Sequence, residues 1–453
     1  MMKKENQTNT RFLYWITFVA VNGGLLFGLN MAGISGAIPF IQNQFALNDV
    51  ALGLAVSSIM LGCLLGAWFV GGLSDKYGRK KMLSVSAILF IVSALGCALA
   101  NSLPIFVVAR LLAGIAVGAV SVLGPTYISE VAPASRRGTL VSYNQFAIVI
   151  GILLAYIIDY ALLSSSIGWR LMMIVPFVFG LIFLVLLYVR FPESPRWLLK
   201  AGKKEQAIDI MCKIGGTDYA VEEMKNMEIS LHNDKDKSQK VSISQLFKGK
   251  TGNVVLLGTL LATFQQITGI NAVVNYAPSI LQQTGVGGDT AMFQSILVGL
   301  VNFLFTLVAI WLVDRVGRKV LLLWGTAGMT LSLAYMVYSF TQGSGGGIGV
   351  LISLLGYIAF FAASLAPVMW VVTSEMYPNR IRGVAMSFST AMSWFFAVLT
   401  VQFFPLAINK LGGALTFGAF AIFSILAFLF ILKYIPETKG KTLEQIEKDL
   451  EIL

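Results

Sequence analysis

Four side chains with carboxamide groups lie close together in the chain, at Gln265, Gln266, Asn271 and Asn275. Each amide offers hydrogen-bond donors and an acceptor without a charge, so the cluster suits a neutral ligand that carries several hydroxyl groups. In a straight helix Gln265 and Asn271 would lie about 240° apart around the axis. They can share one site only if the helix is broken between them, and Gly269 permits such a break.

Isolated amides and large aromatic side chains elsewhere in the chain could complete this site. A lone amide inside an apolar segment more often bonds a neighbouring helix. The prediction of a ligand site therefore rests on the cluster, and the isolated residues are candidates only if the cluster forms such a site. An indole ring can cover the apolar face of a ligand. The additional candidates are Gln145, Asn302, Trp370 and Trp394.

Three short motifs occur in the same order twice, and they divide the chain into two related halves. The first reads D-x-x-G-R-K, the second reads E-x-x-P-x-x-x-R-G, and the third begins with Pro-Glu. They stand at 75–80, 130–138 and 192–196 in the first half, and at 314–319, 375–383 and 436–440 in the second. This order predicts a duplicated architecture of the kind found in membrane carriers.

Opposite charges within these motifs could form a gate. Charges from the two halves that pair when one side is closed, and separate when it opens, make a two-state element. Helix caps and topology signals would explain the basic residues, but not the acidic residues placed regularly beside them. The predicted cytoplasmic gate consists of Asp75, Arg79, Glu130, Arg137, Glu193, Asp314, Arg318, Glu375, Arg382 and Glu437.

Long apolar stretches must position all of these residues. Hydrophobic residues make up 57% of the chain and charged residues 12%, against about 25% charged in ordinary soluble domains. A membrane-spanning helix needs about 20 mainly apolar residues, and lipid requires its backbone groups to be paired internally. We predict an all-α membrane protein with twelve transmembrane helices in two pseudo-symmetric six-helix bundles. The stretches are 12–40, 51–73, 82–101, 104–131, 138–160, 169–190, 252–283, 290–313, 320–341, 348–373, 382–408 and 413–434.

The distribution of basic residues predicts the orientation. Lysine and arginine are frequent before the first stretch and in alternate loops, which places those loops and both termini in the cytoplasm. The same bias explains the net charge of +11 without a nucleic-acid partner, which would need a soluble basic face. We divide the chain into a first bundle at 1–192, a cytoplasmic linker with short helices at 193–250, and a second bundle with a short tail at 251–453.

Catalytic motifs are missing from the sequence. The single histidine, His232, lies in the linker, so neither a histidine-based triad nor a histidine-based metal site can form. Gly249-Lys250-Thr251 looks like the end of a phosphate-binding loop, but Ser244 stands where that motif needs glycine. We predict no enzyme activity and no cofactor or metal.

Several motifs in one order establish a resemblance to a known family. They are the G-G-L-L-F-G segment, the duplicated motifs, Arg110 and Q-Q-I-T-G-I-N at 265–271. Over nearly the whole chain they resemble the sugar porters of the major facilitator superfamily, relatives of glucose facilitators and of bacterial proton–sugar symporters. The resemblance implies a monosaccharide substrate, alternating access and a bacterial cytoplasmic membrane. It also implies sugar contacts by Gln145, Gln265, Gln266, Asn271, Asn302 and Trp370.

The tenth stretch and the end of the amide cluster depart from the family pattern. Phe361, which we include in the site, is followed by Ala362 where the family typically has an acid. The segment 364–367 has lost one proline and two glycines, which predicts a smaller or different bend. Asn275 and Tyr276 replace the usual tyrosine pair. The pocket should therefore differ from a glucose carrier in its hydroxyl preference.

The first stretch departs from the family at the position that couples sugar to protons. Proton-coupled relatives carry an acid there, whereas this chain has Asn30, whose amide cannot gain and lose a proton. Arg110 looks like the family's partner of that acid, and its guanidinium stays charged. We therefore predict a uniporter. The alternative is proton–sugar symport through another acid, with Asp159 at the outer end of the fifth stretch as the first candidate.

Three other functions stay open at this point. A polyol or inositol carrier would use the same amides. A transporter-like sugar sensor usually needs a long cytoplasmic tail, and only 19 residues follow the last stretch. A channel would need polar side chains along a continuous pore. The expected partners are the sugar and the lipid bilayer, and the carrier is expected to function as a monomer.

Overall fold

The computed structural model describes residues 10–133, 136–165, 167–236, 249–342, 347–378, 381–439, 441 and 445. These residues include eleven helices long and apolar enough to cross a membrane. The last, Arg382–Tyr434, has 53 residues, about 80 Å at 1.5 Å per residue, against a hydrocarbon core of about 30 Å. Gly412 interrupts it with a φ of 80°, so it crosses twice. The predicted all-α fold with twelve spans is confirmed.

The first half contains six spans, a short helix between the first two, and two linker helices. The spans are span 1 (Thr10–Ala32), span 2 (Asp49–Tyr77), span 3 (Arg79–Ala98), span 4 (Leu103–Val131), span 5 (Arg137–Leu162) and span 6 (Gly168–Tyr188). The additional helices are Ile38–Gln44, Pro195–Lys200 and Lys204–Asp236, the last of which is interrupted at Gly216 with a φ of 83°. The last part of the predicted linker, at 237–248, lies outside the described residues.

The second half repeats this arrangement, but two of its spans are broken. Span 7 divides at Gly269, which has a φ of 100°, and span 10 divides at Ser364, which has φ −134° and ψ −88°. Span 10 is therefore still broken, although the segment 364–367, which contains the break, has lost one proline and two glycines. The spans are span 7 (Gly249–Ile267 and Ile270–Gln282), span 8 (Gly288–Val316), span 9 (Arg318–Thr341), span 10 (Gly347–Ala363 and Leu365–Met376), span 11 (382–411) and span 12 (413–434).

Specific pairs of spans join the two halves. Span 2 packs along span 11, span 5 packs along span 8, and span 1 touches the second part of span 7. Glycine allows the closest of these crossings, because a Cβ at Gly53 would overlap the backbone of Gln402. The same principle acts inside the first half, where Gly62 of span 2 lies against Gly114 of span 4.

Glu193 fastens the loop between spans 2 and 3 to the chain that follows span 6. Its carboxylate accepts hydrogen bonds from the backbone N–H groups of Arg79 (2.8 Å) and Lys80 (3.1 Å), at the start of span 3. A helix N-terminus has free N–H groups and favours a negative charge. Gly78 has a φ of 97°, and a Cβ there would overlap the carboxylate. We call this arrangement a carboxylate clamp.

Glu437 forms the corresponding carboxylate clamp in the second half. It accepts from the backbone N–H groups of Arg318 and Lys319, each at 3.0 Å, at the start of span 9. Gly317 has a φ of 106°, and a Cβ there would lie 2.7 Å from the carboxylate. Burial alone would raise the pKa of Glu437, but the backbone N–H donors, among them Lys439, together hold that pKa below its ordinary value.

The start of the linker is held on the first half. The hydroxyl of Ser194 caps the helix Pro195–Lys200 by accepting from the N–H of Trp197 at 3.3 Å. The indole N–H of Trp197 donates to the backbone oxygen of Asp75 at 3.0 Å, and Lys200 pairs with the Asp75 carboxylate at 3.3 Å. The linker therefore begins as an extension of the first bundle.

Candidate functional site

The clustered amides form one hydrogen-bonded chain across the break in span 7. Gln266 Oε1, before the break, accepts from Asn271 Nδ2, after it, at 2.6 Å. Gln266 Nε2 donates to Gln265 Oε1 at 3.2 Å and to Ser393 Oγ of span 11 at 2.9 Å. Asn275 Nδ2 donates to the backbone oxygen of Asn271 at 2.7 Å. The predicted break is confirmed, and it brings together amides that a straight helix would separate.

Side chains of the two broken spans bond the backbone beside each other's breaks. Gln265 Nε2 of span 7 donates at 2.9 Å to the carbonyl of Leu365, directly after the break in span 10. In return, the hydroxyl of Tyr357 in span 10 donates at 3.0 Å to the carbonyl of Thr268, directly before the break in span 7. The Thr268 carbonyl follows the end of the first helix of span 7, and such a carbonyl must find a partner inside a membrane. The amide cluster is therefore built on two coupled breaks.

Gln145 and Asn302 lie at matching depth on neighbouring spans of the two halves. Their chain neighbours Phe146 of span 5 and Phe303 of span 8 are in ring contact, with centroids 5.1 Å apart. Gln145 is partly exposed, and Asn302 is 8% exposed. Within the described part of the chain neither amide group makes a side-chain hydrogen bond, so both have donors and acceptors available for a ligand.

The aromatic candidates occupy different positions. Trp394 of span 11 packs edge-on against Phe27 of span 1, with ring centroids 6.0 Å apart, so it lies between the two halves. Trp370 of span 10 is partly exposed. Phe361 is 7% exposed and stacks on Tyr357 with centroids 6.4 Å apart. Phe361 therefore supports the packing around the breaks.

Asn30 and Arg110 lie together inside the first half, as the resemblance implied. Arg110 is 2% exposed, and its Nη1 donates at 3.0 Å to the backbone oxygen of Asn30. The Asn30 amide donates to Leu26 of its own helix at 2.9 Å. A backbone carbonyl therefore holds one side of the Arg110 guanidinium. Its Nε and Nη2 atoms have no partner among the described residues.

Asp159 is the only acidic residue in the described part of the chain that is buried as a whole residue, at 1% exposure. Its Oδ2 accepts from the backbone N–H of Gly36 at 3.1 Å, in the turn after span 1. A Cβ at Gly36 would lie 2.7 Å from the Asp159 side chain, so the close approach requires glycine. No ion pair involves Asp159 among the described residues. An acid buried among neutral groups inside a membrane is a candidate for protonation.

The charges predicted to pair between the halves pair within each half in this structure. Arg79 bonds Asp75 at 3.0 Å and Glu130 at 2.9 Å in the first half. Arg318 bonds Glu375 at 3.2 Å in the second half. No ion pair joins the two halves within the described ranges. Each arginine begins a span beside the end of another span of its own bundle, and that neighbour already supplies the carboxylate.

The remaining gate candidates also contact their own half. Arg137 is exposed and lies near Tyr219 of the linker: burial raises the pKa of Tyr219 to about 12, and the charge of Arg137 opposes this shift. Arg382 Nε donates to the backbone oxygen of Tyr377 at 3.2 Å. Glu193 and Glu437, which also belong to the predicted gate, form the carboxylate clamps. The side chain of Asp314 lies outside the described residues.

Polar contacts between the halves occur instead where span 2 begins and span 11 ends, and the sequence pattern did not predict them. Gln402 of span 11 accepts from Ser57 Oγ at 2.8 Å and donates to the backbone oxygen of Val50 at 2.9 Å, both in span 2. Asn409 Nδ2 donates to Asp49 Oδ1 at 2.8 Å. We call these five residues the outer latch. Their only sequence signal was the presence of amides near the end of an apolar stretch.

Comparisons with known proteins agree with this geometry. The family described as "Sugar (and other) transporter" matches residues 16–450. The arabinose-proton symporter of Bacillus subtilis (strain 168) is 39% identical over 444 residues, covering 96% of this chain and 95% of that protein. The D-xylose-proton symporter of Escherichia coli (strain K12) is 38% identical over 481 residues, covering 97% and 96%. The partially occluded inward-open conformation of the xylose transporter XylE from E. coli overlays with a TM-score of 0.85 at 36% identity, covering 95% and 100%.

Proposed function

The chain belongs to the sugar porter family and is a multi-pass membrane transporter of monosaccharides. We propose that it carries a pentose or a hexose by alternating access. The names of the arabinose and xylose relatives favour a pentose as the first substrate to test. The observation that carries the proposal is the amide chain across the break in span 7, where Gln266 meets Asn271 at 2.6 Å.

The site suits a sugar because its polar groups are uncharged and connected to the moving parts of the fold. Sugar hydroxyl groups can replace the bonds that the amides now make to each other, with little change in the number of hydrogen bonds. Asn271 lies on the second part of span 7, which also contacts span 5, because Tyr156 donates its hydroxyl to the backbone oxygen of Val274 at 2.6 Å. A bound sugar would therefore act directly on a contact between the halves.

We assign the structure to a state closed toward the outside. The outer latch and the bond from Tyr156 to Val274 join the halves near the outer ends of their spans. The described residues contain no ion pair between the halves at the cytoplasmic motifs. The overlay with an inward-open relative supports the same assignment. The sugar would leave this state toward the cytoplasm.

Proton symport is the first candidate for energy coupling. The two relatives described above are named proton symporters. In this chain the coupling group would be Asp159, because it is the one acid of the described spans that is buried as a whole residue, and it accepts a hydrogen bond from the neutral backbone N–H of Gly36. Its partner Gly36 follows span 1 directly, so a change in the charge of Asp159 would act on the position of span 1.

Uniport is the second candidate, and one specific observation favours it. Asn30 stands beside Arg110, where the resemblance implies an acid in proton-coupled relatives, and the guanidinium bonds the Asn30 backbone oxygen. An amide at this position cannot titrate. In that case sugar would move down its own gradient without a proton.

A proteoliposome experiment with radiolabelled xylose, arabinose, glucose and inositol tests both levels of the proposal. The natural chain is compared with Asp159→Asn under an imposed inward proton gradient. Asp289→Asn is the matched control, because Asp289 is an exposed acid at the start of span 8. Uptake of a pentose or hexose supports the transport proposal. Sugar binding without uptake would instead support the sensor alternative, and uptake of inositol alone would support the polyol carrier.

Accumulation above the outside concentration separates the two coupling modes. Accumulation by the natural chain and by Asp289→Asn, but not by Asp159→Asn, assigns proton coupling to Asp159. The Asp159→Asn protein should then still exchange labelled for unlabelled sugar. Equilibration without accumulation in all three proteins establishes uniport. Accumulation that survives Asp159→Asn rejects Asp159 as the coupling group.

A further inference from the structure

A buried positive charge in the first half lacks a counter-charge. Arg110 is 2% exposed, and only its Nη1 atom has a hydrogen bond, to the backbone oxygen of Asn30. Its Nε and Nη2 atoms are buried without a partner in the part of the chain that the structure describes. Arg110 lies seven residues into span 4, about 10 Å from the start of that helix, so the protein interior surrounds it at membrane depth.

The electrostatic neighbours of Arg110 do not supply the missing charge. They are Cys97, Cys63 and Tyr276, whose thiol and phenol groups are uncharged at neutral pH. Asp159 interacts with Gly36 and is not among these neighbours. A guanidinium cannot escape the cost of burial by losing its proton. An isolated buried charge is among the most costly groups in a protein interior, and such charges are normally paired.

A small cavity adjoins this guanidinium. It is lined by residues of spans 1, 3, 4 and 6, among them Asn30, Ser93, Cys97 and Arg110, and it measures about 10 Å³. That is about the space that one water-sized particle needs. Its remaining walls are apolar, with Leu29, Met172, Met173 and Pro176 among them. The cavity lies within the first half, apart from the amide cluster of span 7.

We propose that this cavity binds one small monovalent anion, with chloride as the occupant to test, which neutralises Arg110 in place of the absent carboxylate. The two free guanidinium atoms, Nε and Nη2, supply hydrogen-bond donors for the anion. The Ser93 hydroxyl already donates to the backbone oxygen of Phe90 at 3.0 Å and is not needed for the site. A water molecule could satisfy those donors but would leave the charge uncompensated. The cavity is too small for a large organic anion such as gluconate, so gluconate can serve as the reference anion.

Thermal unfolding of the purified full-length protein in detergent tests the site. Chloride, bromide and gluconate are compared at equal ionic strength, because a ligand that binds only the folded state raises the unfolding midpoint Tm. We expect chloride and bromide to raise Tm in a saturable way relative to gluconate. Asn30→Asp places a carboxylate beside Arg110 and should abolish the halide effect. Asn22→Asp, which adds the same charge two turns earlier in span 1, should keep it.

Direct binding of radioactive chloride provides the second measurement. The natural chain should bind about one chloride per molecule, and Arg110→Gln should bind none. This comparison decides the question if Asn30→Asp does not fold. A halide effect of equal size in all variants would show a general salt effect and overturn the proposal, as would the absence of both stabilisation and binding. Neither measurement uses sugar or transport, so the result does not depend on the proposed function.

Discussion

Asn271 connects the two parts of span 7 through its side chain, and this makes it the most informative single residue of the candidate site. Its Nδ2 donates to Gln266 Oε1 at 2.6 Å, while its position after the break places it on the segment that contacts span 5. A change at Asn271 should therefore affect sugar binding directly. The effect on folding should be smaller, because a water molecule can replace the lost amide.

We expect Asn271→Ala to weaken sugar binding by about 1–3 kcal/mol, the cost of leaving a buried hydroxyl group without its partner, or roughly 5- to 150-fold in Kd. Isothermal titration of the purified protein with xylose and arabinose measures the change. Gln283→Ala is the control, since Gln283 is an exposed amide just beyond the end of the same span. Equal affinity in both variants would show that the amide cluster is structural.

Individual residues of the site differ in how well the sequence could predict their contacts. The angular separation of Gln265 and Asn271 required a break, and Gly269 offered one, so the cluster followed from helix geometry. Gln402 could not be found in this way. It is a single amide whose partner Ser57 is 345 positions away in the chain, and no local pattern encodes that pairing.

At the scale of elements, the break in span 7 depends on glycine. Gly269 has a φ of 100°, a conformation that costs an L-residue with a side chain about 1–2 kcal/mol. A Cβ there would also lie 2.6 Å from the ring of Phe420 in span 12. The break is therefore fixed by both backbone and packing.

We expect Gly269→Ala to lower the Tm of the protein and to reduce sugar exchange, because the alanine strains the break and displaces Phe420. Thermal unfolding in detergent and exchange in proteoliposomes measure the two effects. Gly287→Ala is the control, since Gly287 has a φ of −60° and open space around it. A Gly269→Ala protein as stable and active as this control would mean that the break does not need glycine.

The carboxylate clamps give a second prediction at the element scale. Backbone N–H donors hold the pKa of Glu437 below its ordinary value. Its contribution to stability is therefore complete above the unfolded pKa of about 4.3 and is lost as the pH falls through the lower folded pKa. Glu437→Gln should lower Tm at pH 7, and its difference from the natural chain should shrink below about pH 4.

Thermal unfolding between pH 3.5 and 8 measures that difference. Glu205→Gln serves as the control, because Glu205 is exposed on the linker and should leave Tm unchanged at every pH. A Glu437→Gln difference that stays constant across the whole range would show that the ionised carboxylate is not what holds the clamp.

At the scale of the whole molecule, the cytoplasmic motifs of both halves contain buried polar atoms without a hydrogen-bond partner. Glu130 Oε2 in the first half and Arg382 Nη2 in the second are buried without a partner among the described residues. Both belong to copies of the same motif. The ion pairs observed here use other atoms, so the unpaired atoms can meet across the halves when the cytoplasmic side closes.

We expect Arg382→Ala to slow sugar exchange several-fold while changing sugar affinity less than twofold, because it shifts the balance between states. Spin labels on cysteines introduced at the exposed positions Thr139 and Ser387 would report the distance between the halves, after replacement of Cys212. The short-distance population should fall. Lys410→Ala, a charge removed from the other end of span 11, is the control. Unchanged populations in Arg382→Ala would remove Arg382 from the gate.

Hydropathy and the duplicated motifs predicted the twelve spans and the two halves, because span length and backbone pairing in lipid leave few alternatives. They did not predict which charges pair in this structure. Arg79 pairs here with Asp75 and Glu130 of its own bundle, although the motifs of the other half carry acids as well. A sequence that encodes two states cannot by itself indicate which one is observed.

The first carboxylate clamp has a consequence for how the protein is made. Glu193 takes its hydrogen bonds from Arg79, Lys80 and Ser194, and the first two emerge from the ribosome well before Glu193 while Ser194 follows it directly. The first bundle can thus lock its cytoplasmic end before any of the second bundle is synthesised, in line with domains folding as units during translation. Glu437 likewise needs only residues of its own half. Biogenesis can proceed as two successive insertions, each completed when its own carboxylate clamp forms.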